Sequence, residues 1–192
     1  MKGFTLIETI ITIFVFTLTM GAISGFIVMV YRTHSYTWQQ SIAVDEARKG
    51  IETMVKEIRE TRTGEDGSYP LFSTQDSEFG FFADIDRDSA IEKVRYFVEG
   101  TDFKKEVIKP VGIPAVYPSE NKVRTVLSKY VRNSLPIFRY FDGDGNELSA
   151  PARRKETKLI RVYLVINVNL NRPPQNFELQ SEVQIRNLKE NL

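Results

Sequence analysis

The chain has 192 residues, 42% hydrophobic and 27% charged, with Lys+Arg 26 against Asp+Glu 25, one histidine and no cysteine. A net charge of +1 lacks the basic excess of a nucleic-acid binder. The absence of cysteine excludes disulfides, thiolate metal sites and cysteine catalysis. The even balance hides a segregation: before Arg32 the only charged side chains are Lys2 and Glu8, so one end suits lipid and the other water.

From Thr9 to Tyr31 run 23 uncharged residues, mostly Ile, Phe, Val, Leu and Met. As a helix they reach about 35 Å, enough for a hydrocarbon core of about 30 Å. A secretory signal would show an apolar stretch of about 7–15 residues; this run is longer, and Glu8 stands near its start. Lys2 votes for a cytoplasmic N-terminus, and Arg32 on the other flank blunts that vote. A carboxylate in the first turn complements the helix dipole by about 0.3–1 kcal/mol. Gly21 and Gly25 have G-x-x-x-G spacing. Three readings stay open: close approach of a second helix, a weak point for unwinding at about 1 kcal/mol per glycine, or the ordinary frequency of glycine in membrane helices.

Beyond Arg32, Val44, Ala47, Ile51, Met54, Val55 and Ile58 recur at helical spacing, with charged residues on the other face. No proline interrupts Phe4–Thr61, so one helix is expected, about 85 Å long, leaving at the breaker cluster 63–70. Strands follow: Phe79–Ala83 and Ile91–Glu99 as a hairpin across 84–89, then Phe103–Lys109, Val123–Val131, whose pattern fits strand or helix and whose β-branched residues favour strand, and Ile137–Phe141. Leu159–Leu170 and Phe177–Ile185 form a last hairpin joined by 171–176. The expected class is α+β, a long N-terminal helix packed on an antiparallel sheet.

The run Lys2-Gly3-Phe4-Thr5-Leu6-Ile7-Glu8 before a long apolar stretch resembles the N-terminus of type IV pilins and type II secretion pseudopilins. The resemblance implies a leader, residues 1–3, removed by a prepilin peptidase between Gly3 and Phe4, with N-methylation of Phe4. It further implies that Glu8 pairs with the Phe4 ammonium of a neighbouring subunit and sets the axial register of a filament, a role attested for buried polar groups. The implied domains are residues 4–31 as transmembrane and filament-core helix, 32–62 as amphipathic arm, and 63–192 as a β-rich globular domain. Assembly residues are then Phe4, Glu8, Gly21 and Gly25.

A looser resemblance links Phe79–Ala83 with its aspartate turn, 137–142 with its Gly-rich turn and the strand ending 183–187 to minor pseudopilins of the J type. It implies a subunit at the filament tip. The implied partners are the peptidase and methyltransferase, major and minor pilin-like subunits and an inner-membrane assembly platform, with the globular domain periplasmic or extracellular. The same residues also fit a single-pass membrane-anchored binding module that enters no filament.

Two clusters invite a calcium reading, because Ca²⁺ takes oxygen ligands at alternating positions. Asp84, Asp86 and Asp88 begin an EF-hand pattern, but Ser89 and Arg95 stand where its glycine and glutamate belong. Asp142, Asp144 and Asn146 do likewise, with Glu147 and Arg153 at those places. Both read as turns, so no metal, cofactor or catalytic residue is expected. His34, beside Tyr36 and Trp38, has no second histidine to complete a metal site or triad. Lys122, Arg124, Lys129, Arg132 and residues 153–155 are basic among comparable acids, and read as a solvated face rather than a nucleic-acid surface. No Gly-rich phosphate loop is present.

Overall fold

A computed structural model of the chain describes residues 3–172 and 176–186. Met1 and Lys2 of the expected leader, 173–175 of the last expected turn and the segment from Asn187 lie outside the described residues. The class is α+β, as expected: one long N-terminal helix and then antiparallel strands. The chain divides after Gln39 into an N-terminal unit and a larger one that begins at Gln40.

Helix α1 spans Leu6–Arg59 without a break, 54 residues. Its most apolar 18-residue window has a mean hydropathy of 2.3 and none of it is buried, so by length and composition the helix can cross a membrane. Phe4, Leu6, Phe14 and Phe26 are all more than 60% exposed. Polar threonines are accommodated within this stretch because their hydroxyls donate to the carbonyl one turn back: Thr12 to Glu8 at 2.7 Å, Thr17 to Ile13 at 2.7 Å and Thr19 to Val15 at 2.8 Å. A hydroxyl so satisfied costs little in lipid.

In the larger unit, α1 buries the stripe that its spacing predicts. Ala43, Val44, Ala47, Ile51, Met54 and Ile58 join one hydrophobic cluster with the strands, and Val55 lies against it. Two antiparallel sheets make up the rest, where the sequence suggests one. The larger runs β1 (Leu71–Thr74), β2 (Glu78–Ala83), β3 (Glu92–Glu99), β4 (Asp102–Ile108) and β5 (Val123–Ser128) in chain order. The smaller holds β6 (Phe138–Phe141), β7 (Leu159–Ile166) and β8 (Phe177–Gln184), also in order, with a one-turn helix α2 (Arg153–Glu156) before β7.

Both expected hairpins form, β2 with β3 from Glu78↔Phe97 to Ala83↔Glu92, and β7 with β8 from Leu159↔Gln184 to Ile166↔Phe177. Phe79, Phe81, Tyr96, Phe103, Phe138, Tyr140, Ile160 and Leu164 are fully buried among the inward-facing strand residues. The buried Gln40 side chain ties α1 to the end of β7: its Nε2 donates to the Ile166 carbonyl at 3.0 Å and its Oε1 accepts the Val168 N–H at 2.9 Å. A ladder of opposite charges crosses the other face of the larger sheet, with Arg95 3.1 Å from both Glu78 and Glu106, and Arg124 2.6 Å from Glu106. Burial alone would raise the Glu106 carboxyl, but the Arg124 hydrogen bond and the two guanidinium charges hold it below the ordinary value.

Candidate functional site

The N-terminal residues singled out by sequence sit at the very start of α1. Gly3 and Phe4 precede the helix in irregular backbone, Phe4 is 87% exposed, and among the described residues nothing beyond its chain neighbours lies within 4 Å of where a Gly3 Cβ would stand. That leaves the Gly3–Phe4 peptide bond open to an approaching protein.

Thr5 and Glu8 form a reciprocal cap. Glu8 Oε2 accepts the Thr5 N–H at 2.8 Å and the Thr5 hydroxyl at 2.7 Å, while the Glu8 N–H donates to Thr5 Oγ1 at 3.4 Å. This is the capping-box arrangement, in which an N-cap Ser or Thr and a Glu three residues later satisfy each other's backbone donors. Sequence reasoning found Glu8 and missed Thr5, although the T-x-x-E spacing was readable. The bonds fix the Glu8 carboxylate at the N-terminal end of the helix, on the chain segment that also carries Phe4.

Gly21 and Gly25 both lie within unbroken helix, and a Cβ built on either would meet nothing within 4 Å. They leave a shallow, small-residue face on the exposed apolar stretch. His34 lies with Tyr31, Ser35 and Trp38 on the helix surface; Tyr31 and Trp38 are 76% and 63% exposed, as interfacial anchors are.

The two acidic loops differ in what their carboxylates do. Asp142 Oδ1 accepts the N–H groups of Asp144 and Asn146 at 2.9 and 2.8 Å, and its Oδ2 accepts the Asn146 side-chain amide at 3.0 Å. Those bonds, the Asn146 amide first, hold the Asp142 carboxyl below the ordinary value, and this loop is a turn built on its own aspartate.

In the other loop, Asp84, Asp86 and Asp88 bring carboxylate oxygens within 4.8 Å of one another. Each uses Oδ1 to accept a loop N–H: that of Arg87 at 2.7 Å, of Asp88 at 3.3 Å and of Ala90 at 2.9 Å. Oδ2 of Asp86 and of Asp88 accept hydrogen bonds from the Lys109 ammonium, the second at 2.9 Å. The same ammonium stands 3.7 Å from Glu92 Oε1. Those aspartate bonds raise Lys109 and lower Asp88 relative to their ordinary values. Glu92 and Lys109 were not among the residues the sequence pointed to, since Glu92 sits in an alternating strand and Lys109 follows a strand 21 residues beyond Asp88.

No family model matches the chain, and no curated protein does. Among solved structures, it aligns with a chain of the GspK-GspI-GspJ complex from the enterotoxigenic Escherichia coli Type 2 Secretion System, at 11% identity and a TM-score of 0.49, over 75% of this chain and 97% of that one.

Proposed function

We propose that the chain is a structural subunit of a pilin-like filament, a minor pseudopilin of a type II secretion pseudopilus or of a type IV pilus-like machine. The observation that carries this reading is the make-up of α1. One continuous helix bears Glu8 in its first turn, an exposed apolar stretch long enough for a bilayer, and then a stripe buried against antiparallel strands. An apolar helix of this kind can be buried in lipid, or against other copies of itself.

In this reading residues 1–3 are a leader cut by prepilin peptidase after Gly3, and Phe4 becomes the methylated N-terminus. The new ammonium and the Glu8 carboxylate of a neighbouring subunit attract each other strongly in a medium of low dielectric. Because that pair forms only at one axial offset, it selects register. Gly21 and Gly25 let neighbouring helices approach. The N-terminus lies in the cytoplasm and the domain from residue 63 in the periplasm or outside the cell. The subunit sits at the filament tip, as J-type subunits do, beside other pilin-like subunits and the assembly platform. It does no chemistry of its own.

Co-expression with a prepilin peptidase tests the first step: Gly3→Ala should block processing, and a Gly3→Ala precursor cut as fast as wild type would sink the reading. Glu8→Leu should insert normally yet fail to enter filaments or a complex with other minor subunits. Unimpaired recruitment of Glu8→Leu would refute the register argument.

A further inference from the structure

The aspartate loop between β2 and β3 carries more negative charge than its own hydrogen bonds use. Asp84, Asp86 and Asp88 converge within 4.8 Å, the spread that a single ion with bonds of about 2.3–2.6 Å requires. A separate observation comes from beneath the loop. Glu92 is fully buried; its Oε2 accepts the Ile85 N–H at 3.0 Å, but its Oε1 receives no hydrogen bond from any described residue. A buried charged acceptor without a donor is costly, and this one faces the ammonium that bridges Asp86 and Asp88.

Lys109 therefore marks where positive charge belongs, and marks it incompletely. A single ammonium, itself 54% exposed on a flexible stem, is shared among Asp86, Asp88 and Glu92, with the Asp84 carboxylate close to the two aspartates, and it leaves the buried oxygen at 3.7 Å. We propose that Asp84, Asp86, Asp88 and Glu92 form a binding site for a divalent cation of the calcium class, which takes the place of the Lys109 ammonium. The donor set is oxygen alone, which selects a hard cation. Four carboxylates leave little room for the retained waters that Mg²⁺ prefers, and an irregular loop tolerates the larger and looser coordination of Ca²⁺. Such binding does not depend on whether the chain enters a filament.

The test uses the full chain in detergent micelles, stripped of metal and titrated with CaCl₂ in a calorimeter, with a thermal melt of the same samples. Wild type should bind one Ca²⁺ per chain, half-saturating at about 0.1–1 mM, and should melt a few degrees higher with calcium. Lys109→Met, which removes the competing ammonium, should tighten binding about tenfold, and Asp86→Asn or Glu92→Gln should weaken it about tenfold or more. Asp144→Asn, in the other acidic loop, should bind as wild type. Circular dichroism in chelator checks that each variant is folded; Asp86 is exposed, so its variant reads binding even where Glu92→Gln perturbs the core. Absence of saturable binding by both wild type and Lys109→Met up to about 10 mM would overturn the site. So would equal affinity for MgCl₂, or loss of binding in Asp144→Asn but not in Asp86→Asn.

Discussion

The Glu57 carboxylate accepts the Tyr96 hydroxyl at 2.6 Å, joining α1 to the central strand of the larger sheet. Its other oxygen accepts the Lys105 ammonium at 2.5 Å, with both side chains of that pair nearly buried. Burial first, and the Glu57 charge second, push the Tyr96 phenol well above its ordinary value, so it stays a neutral donor. Removing the shared acceptor strands a buried hydroxyl and a buried cation together. Glu57→Ala should therefore cost about 3 kcal/mol of stability, whereas Tyr96→Phe, which leaves the ion pair standing, should cost about 1 kcal/mol. Denaturant unfolding of both variants checks the order; equal costs would mean that the ion pair adds nothing.

How much of this was legible depended on how local the signal is. The α1 stripe at Val44, Ala47, Ile51, Met54 and Ile58 was readable because helical spacing is a property of neighbouring residues. So were the β2–β3 and β7–β8 hairpins, whose strands adjoin their turns. Strand ends were less so. β7 was expected to reach Leu170 but stops at Ile166, because Asn167 and Asn169 each accept the N–H two residues on, at 2.8 and 3.0 Å, and turn the chain. β5 stops at Ser128, and Tyr130, at φ 62°, swings the chain so that the Val131 N–H meets the Thr101 carbonyl. β1 is four residues behind a breaker cluster and was missed. The division into two sheets rests on pairings between distant segments, which no local pattern encodes. The same limit applied to the acidic loop: its three aspartates were visible, while Glu92 and Lys109 join them only through the β2–β3–β4 register.

Ser89 offers a test of the loop's backbone. It occupies φ +73°, a left-handed conformation that costs an L-residue about 1–2 kcal/mol, and a β-branched one more. Ser89→Gly should be close to neutral, the relief of strain offsetting the freedom glycine adds to the unfolded chain. Ser89→Val should lower stability by about 1–2 kcal/mol. Thermal melts of the two variants in chelator separate them, and a Ser89→Val protein as stable as wild type would contradict the conformation.

The buried carboxyl gives a pH dependence with a definite sign. Burial, aided by the Asp86 charge and opposed by the Ile85 N–H and by Lys109, raises the Glu92 carboxyl above its ordinary 4.5. A carboxyl that is harder to ionise when folded favours folding below its unfolded value, and that advantage is lost as pH rises through the folded value. In chelator, wild type should therefore lose melting temperature relative to Glu92→Gln from about pH 4.5 upward, and the gap should level off once Glu92 is fully ionised. With calcium present the order should reverse, since the ion compensates the charge that Gln lacks. A wild-type advantage in chelator at neutral pH would show that Lys109 alone satisfies Glu92.

In the N-terminal unit, the cap at the start of α1 predicts a division of labour between Thr5 and Glu8. The Thr5 hydroxyl both donates to Glu8 Oε2 and accepts the Glu8 N–H, so it holds the carboxylate as well as the helix end. Thr5→Val keeps size and apolarity but deletes those bonds, and N-cap losses cost about 0.5–2 kcal/mol. That is too little to unfold a helix anchored in lipid, but enough to fray its first turn. Amide exchange at Leu6–Thr9 in micelles should rise in Thr5→Val, remain near wild type in Thr5→Ser, and rise in Glu8→Leu as well. Filament recruitment should fall most in Glu8→Leu, because that variant lacks the intersubunit charge, and less in Thr5→Val, where the charge remains but is no longer held. Equal recruitment defects in the two variants would make the cap itself, rather than the charge it positions, the feature on which docking depends.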